Sequence, residues 1–190
     1  IRIERSVFTS VLKGREGWST AINQNQVEQY LNTLPENRSP SAEQRAAVQF
    51  IATSKDRYIA IQGLAGVGKT FMLNHARAVL ENHGCDVRGA AYTGKAAEGM
   101  ASEGGVNAQT IHSFLNQLER EARIRSTERD PFAGDWNLEH IQPQKNLIIF
   151  VDEASMIDNK LMERLCTAAD KLRAKVVFLG DKNQLQPIGA

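Results

Sequence analysis

Apolar residues in the first forty positions recur at helical spacing. In "IERSVFTSVLK", Val7, Phe8, Val11 and Leu12 share one face, and Gly14 ends the predicted helix. In "NQNQVEQYLNTL", Val27, Tyr30, Leu31 and Leu34 line one side until Pro35 stops the run. "PENRSPS" then reads as a linker. From Ser41 the character changes. "SAEQRAAVQFIATS" predicts a helix with Ala47, Phe50 and Ile51 inward, and "RYIAIQG" is a short apolar run ending in Gly. "VRGAAYT", "NLIIFV" and "KVVFLG" are further short runs of small and branched residues. Helix-like stretches separate them, including Thr70 to Leu80 and Lys160 to Lys171. Strands alternating with helices predict an α/β fold, a parallel sheet with helices on both faces. The charged segment from about Glu119 to Lys145, with Pro131 and Gly134, is expected to be a helix end followed by a surface excursion. The organisation expected is a small helical segment over 1–38 and one α/β domain over 39–190.

Composition narrows this only a little. With 190 residues and 42% hydrophobic content, the chain can bury one sizeable core but not two large ones. A net charge of +1 rules out a generally basic nucleic-acid wrapper, so DNA contact would depend on local placement of Lys and Arg. Cys85 and Cys166 have no CxxC spacing and read as small buried apolar residues. His75, His83 and His140 are scattered without metal spacing. No apolar run approaches the roughly 20 residues of a membrane span, and no signal peptide is evident, so a cytoplasmic location is expected.

The candidate chemistry sits at strand ends. "GLAGVGKT", Gly63 to Thr70, fits G-x-x-x-x-G-K-[ST] between an apparent strand and an apparent helix. Gly63, Leu64, Ala65, Gly66, Val67 and Gly68 would wrap backbone N–H groups around phosphate oxygens at the positive end of the following helix. Lys69 would reach the β- and γ-phosphates, and the Thr70 hydroxyl would ligate Mg²⁺. "NLIIFVDEAS" ends a strand in Asp152, suited to hold the metal, and Glu153, suited to act as general base on water. Read without the P-loop, the same two acids would pass for helix caps. Gln184 in "LGDKNQLQP" has two readings, an amide directed at a γ-phosphate or its attacking water, and a solvated loop residue. Gln44 also has two: Ser41-x-x-Gln44 fits a capping box, and the amide suits an adenine edge. Thr93, Gly94 and Lys95 open a helix after a strand, a turn that fits a nucleic-acid phosphate as well as a simple cap. Thr110 and His112 in "AQTIHSFL" follow, His112 reading equally as a structural residue.

The ordered set "EQRAAV", "GLAGVGKT", "YTGKAA", "QTIHSFL", "VDEAS" and "GDKNQLQP" resembles the first motor domain of superfamily 1 DNA helicases of the RecD-like branch, over about Ser39 to Ala190. The resemblance implies a P-loop NTPase with a RecA-like fold that uses ATP and Mg²⁺ and moves 5′-to-3′ along single-stranded DNA. It implies adenine recognition by Gln44, phosphate and metal binding by Lys69 and Thr70, metal and water handling by Asp152 and Glu153, and γ-phosphate sensing by Gln184. Thr93, Gly94, Lys95, Thr110 and His112 fall in motifs that line the DNA track.

The N-terminal part is similar to the junction between relaxase and helicase in conjugative relaxases of the MobF type, which nick plasmid DNA and unwind it for export. Conjugation machinery is then an implied partner. The relaxase chemistry needs tyrosines and a three-histidine metal site. This chain has only Tyr30, Tyr58 and Tyr92 and no HxH, so nicking is not assigned to it. Intact Lys69, Thr70, Asp152 and Glu153 speak against a decayed second helicase domain. The implied motor also needs an arginine from a second RecA-like domain of the same protein. The segment alone is therefore expected to hydrolyse ATP very slowly, to break off after the GDxxQ motif, and to be disordered from Gln186 onward. Two other classes stay open: a non-catalytic P-loop module that binds single-stranded DNA or a protein, and an ATPase that does not act on DNA.

Overall fold

The computed structural model describes residues 2–62, 67–129, 144 and 146–180. Two helices lead in, α1 (Arg2–Lys13) and α2 (Gln24–Asn32), with a 3₁₀ turn at Glu36–Arg38. Then follow α3 (Ala42–Thr53), β1 (Tyr58–Gln62), α4 (Val67–Asn82), β2 (Asp86–Ala91), α5 (Gly94–Ser102), β3 (Asn107–Thr110), α6 (Ile111–Arg129), β4 (Leu147–Asp152), α7 (Asn159–Leu172) and β5 (Lys175–Gly180). The five strands form one sheet in the order β1-β5-β4-β2-β3, and every pairing is parallel. Parallel strands need crossovers, which the intervening helices supply. The expected α/β architecture with helices on both faces is what the chain adopts.

The reason is legible in β4. All six of its residues are buried, and alternate side chains serve opposite layers. Ile148 and Phe150 join Ile59, Val177 and Leu179 beneath α3 and α4, together with Val48, Ile51, Met72, Ala76 and Val79. Leu147, Ile149 and Val151 join Val176 beneath α6 and α7, with Phe114, Leu115, Leu165 and Ala169. Burying one side chain the size of Phe150 stabilises the fold by roughly 1.5–3 kcal/mol.

The stretch from Trp18 through α2 belongs to the core beneath α3 and α4. Trp18, Ile22, Val27 and Leu31 are buried with Val48 and Ile51 of α3. Main-chain bonds tie the segment down, Trp18 N to Lys55 O at 2.8 Å and Ile22 N to Ala52 O at 2.9 Å. At the N-terminal end of β5 the fully buried Lys175 donates through Nζ to Ser54 O at 2.7 Å and lies 6.0 Å from the Trp18 ring centroid. Burial pushes this ammonium down to about 8, against a smaller opposing pull from Asp56. Tyr58, opening β1, donates to Asp170 at 2.6 Å, and Arg57 pairs with the same carboxylate at 3.2 Å.

One expectation changes. Phe50 was expected inward, but it is 48% exposed. The buried stripe of α3 is Val48, Ile51 and Ala52, and Phe50 lies off it. The apolar face of α1 forms as a helix but stays largely outside, Val7 packing near α7 while Phe8, Val11 and Leu12 are exposed. In the charged segment, α6 continues past Glu119 to Arg129, and residues 130–143 lie outside those described. Gly63, Leu64, Ala65 and Gly66, the side chain of Val67, Gln184 and the tail from Gln186 also lie outside the described residues.

Candidate nucleotide and nucleic-acid site

Parallel pairing places every strand's C-terminal end on one edge of the sheet, the edge where such folds meet ligands. Gln62 stands beside Gly180, and Ala91 stands between Thr110 on one side and Asp152 on the other. The C-terminal end of β1 and the start of α4 therefore flank the same edge as Thr93 and Glu153.

The first turn of α4 carries Gly68, Lys69 and Thr70. Lys69 Nζ lies 2.8 Å from Asp152 Oδ1, a contact that spans β5, the strand between β1 and β4. Both side chains are largely shielded, at 22% and 11% exposure, so water screens their charges less than on an open surface. The same Oδ1 accepts from Glu153 N at 2.8 Å. Lys69, Thr70 and Asp152 fit a Mg²⁺-nucleotide. The ammonium suits phosphate, and a hydroxyl with one carboxylate is the small hard-oxygen set Mg²⁺ takes from protein when phosphates and waters complete its shell. Among the described residues no cluster of three or more His, Cys, Asp or Glu offers an all-protein metal site.

Gln44 forms the capping box and also makes a contact that neither sequence reading named. Its Oε1 accepts from Ser41 N at 2.9 Å while its N–H donates to Ser41 Oγ at 3.3 Å, completing the capping box of α3. The remaining amide nitrogen donates to Gly68 O at 3.1 Å. A Cβ on Gly68 would stand 3.1 Å from that nitrogen, a tight approach to the end of a flexible side chain.

Across the sheet edge, Glu153 adopts a left-handed backbone (φ 54°), which is unfavourable for a residue with a side chain. Its Oε2 accepts from Thr93 Oγ1 at 2.8 Å and from Thr93 N at 3.1 Å. Thr93 also caps α5, accepting from Ala96 N at 3.2 Å. Gly94 and Lys95 follow it, both exposed. Thr110 plays a similar part before α6, accepting from Ser113 N at 3.2 Å. His112 is exposed on the first turn of α6. The structure thus brings Gln44 to Gly68, Lys69 to Asp152, and Glu153 to Thr93. Thr110 and His112 stand on the same edge, outside this hydrogen-bonded set. His75 is buried against Phe71, ring centroids 4.6 Å apart, and His83 faces its own helix at Val79 O, both structural.

Residues 39–190 match the family described as AAA domain. The chain belongs to the AAA domain family. The chain is also similar to several longer proteins. It is 37% identical over 150 residues to the probable conjugal transfer protein TraA of Sinorhizobium fredii, covering 79% of this chain and 12% of that protein. It is 30% identical over 189 residues to the multifunctional conjugation protein TraI of Escherichia coli K12, covering 97% of this chain and 10% of TraI. The ATP-dependent RecD2 DNA helicase of Deinococcus radiodurans shares 29% identity over 134 residues, 70% of this chain and 17% of RecD2. The chain spans about a tenth of the length of the conjugation proteins it matches. For this AAA domain, membership implies nucleotide binding, and the residues gathered around Lys69 and Asp152 suit it. Among the described residues of the domain, no helix is long and apolar enough to cross a membrane.

Proposed function

We propose that residues 39–190 form the ATP-binding first motor domain of a 5′-to-3′ single-stranded-DNA translocase or helicase. It would belong to a longer conjugative relaxase-helicase acting in plasmid transfer in the bacterial cytoplasm, with 1–38 as its helical lead-in. The observation that carries this reading is the pair of contacts at one sheet edge, Lys69 to Asp152 and Glu153 to Thr93. They support a reading in which Lys69 binds phosphate, Asp152 binds metal and Glu153 acts as base, beside a turn suited to a nucleic-acid phosphate.

In this reading Lys69 and the loop N–H groups from Gly63 to Gly68 hold the phosphates of ATP. Thr70 and Asp152 hold Mg²⁺, which neutralises phosphate charge when bound. Glu153 orients and deprotonates the attacking water. Gln44 braces the loop through Gly68 O and meets the adenine, and Gln184 senses the γ-phosphate. Thr93, Gly94, Lys95, Thr110 and His112 line the DNA track. A second RecA-like domain of the same protein supplies an arginine across the cleft, and the conjugation machinery receives the strand. The intact set Lys69, Asp152 and Glu153 favours hydrolysis over a purely binding P-loop module.

The test compares the full-length protein with the 190-residue chain. The full protein should hydrolyse ATP faster when single-stranded DNA is added, and should displace a streptavidin block from the 3′ end of a biotinylated strand in preference to the 5′ end. The chain alone should turn over ATP very slowly. Brisk DNA-stimulated turnover by the chain alone, or no DNA response in the full protein, contradicts the proposal.

A further inference from the structure

Arg45 follows Gln44 in the first turn of α3, and its guanidinium reaches away from that helix to the end of α2. Nη1 and Nη2 donate to Asn32 Oδ1 at 3.2 and 2.9 Å, and Nη2 also donates to Leu31 O at 3.0 Å. Both acceptors lie at the C-terminal end of α2, where a helix leaves carbonyls unpaired and favours a cation. The last turn of α2 has no basic residue of its own, so α3 supplies the charge. Val27 and Leu31 share a buried core with Val48 and Ile51, and Gln49 donates to Glu28 Oε1 at 3.3 Å. α2 also meets α4 itself, the Tyr30 and His75 rings standing edge-on with centroids 6.3 Å apart.

We propose that Arg45 is a positioning residue for the nucleotide site: by clamping the end of α2 it fixes the first turn of α3, and so keeps Gln44 on Gly68 O. The inference rests on the reading of α4's first turn as a phosphate site. Gln44 is held by its cap with Ser41, and its amide nitrogen meets the main chain one residue before Lys69. The first turn of a helix is where fraying begins, because its N–H groups have no partners within the helix. The Arg45 fork opposes that fraying from the adjoining residue, through a charged donor and two neutral acceptors. Without it Gln44 would leave Gly68 O for part of the time, and the loop would close less firmly on phosphate. The lead-in helix thereby contributes to nucleotide affinity from outside the site.

The test is calorimetric titration of Mg²⁺ with a non-hydrolysable ATP analogue into the 190-residue chain, read beside thermal unfolding of each protein. Arg45→Met keeps the apolar stem and removes every donor. Asn32→Ala removes the side-chain acceptor, and Asn32→Asp keeps one. We expect Arg45→Met and Asn32→Ala each to bind the analogue about threefold more weakly, as loss of one modest hydrogen bond allows, while Asn32→Asp binds like the parent. The decisive comparison adds Arg45→Met to Gln44→Ala. If Arg45 acts through Gln44, the double variant binds no more weakly than Gln44→Ala alone, although its unfolding temperature still falls. A merely structural Arg45 would leave affinity unchanged in the parent, or lower it equally in both backgrounds, and either result overturns the proposal. So does an Asn32→Asp chain that binds like Asn32→Ala, or a Gln44→Ala chain that binds as tightly as the parent. A parent chain that does not bind the analogue at all would instead bring down the phosphate-site reading, and the positioning role with it.

Discussion

Replacing Lys175 by Met tests how the lead-in segment is joined to the sheet. Lys175 is fully buried at the start of β5, with its ammonium on Ser54 O and near the Trp18 ring. Its proton affinity drops from an ordinary 10.5 to about 8 because burial strips its water. At about 1.4 kcal/mol per tenfold change in affinity, keeping the charge inside costs roughly 3 kcal/mol at neutral pH. Below pH 8 both folded and unfolded chains hold the proton and that cost is complete. As pH rises from about 8 towards 10.5 the unfolded chain still binds a proton that the folded chain has released, so the native state gains stability. Methionine fills similar space and carries no proton. Burial raises Cys85 and Cys166, which pulls stability the other way above pH 9; Cys166 is the same in both proteins, whereas Lys175→Met also removes the charge that partly offsets burial at Cys85, so the variant loses more there and the difference keeps its sign. Urea unfolding at pH 7 and at pH 9.5 should therefore show the parent gaining about 2 kcal/mol relative to Lys175→Met between the two conditions. A parent-to-variant difference that stays constant within about 0.5 kcal/mol would show that the ammonium is not held in a dry site, and the reasoning would fail.

Phe150→Ala empties the centre of the most buried strand and should cost about 3–5 kcal/mol in urea unfolding. Gln44→Ala removes the capping box and the bond to Gly68 O, so thermal unfolding should register a loss of about 1 kcal/mol while KM for ATP rises. Phe50→Ser changes a half-exposed side chain and should shift stability by less than about 0.5 kcal/mol, whereas a core role would make it severe.

How much of this was legible in the chain depends on how local each feature is. β4 and β5 announce themselves as unbroken apolar runs because both sheet faces cover them, and the capping box of α3 is written within four residues. β3 does not: "NAQT" is polar, and its place is set by pairing with β2 at the sheet's end, which no periodicity records. Phe50 misled because hydrophobicity alone does not say which side of α3 meets the sheet. The meeting of Thr93 with Glu153 spans 60 positions and exists because β2 lies beside β4 in the sheet order. That adjacency comes from topology, so the sequence offered the two residues as separate motifs. Gln44 shows both cases at once: its cap is local and legible, while its amide nitrogen reaches Gly68 O across 24 positions, a contact that no local pattern records.

The claim on which the rest depends is that the first turn of α4 holds a nucleotide's phosphates. Calorimetric titration of a non-hydrolysable ATP analogue with Mg²⁺ into the 190-residue chain and into Lys69→Ala measures it without any contribution from a second domain. We expect saturable, Mg²⁺-dependent binding to the parent and at least about tenfold weaker binding to Lys69→Ala, the loss of one charge-assisted phosphate contact. Equal affinity in the two proteins, or no binding to the parent, would contradict it.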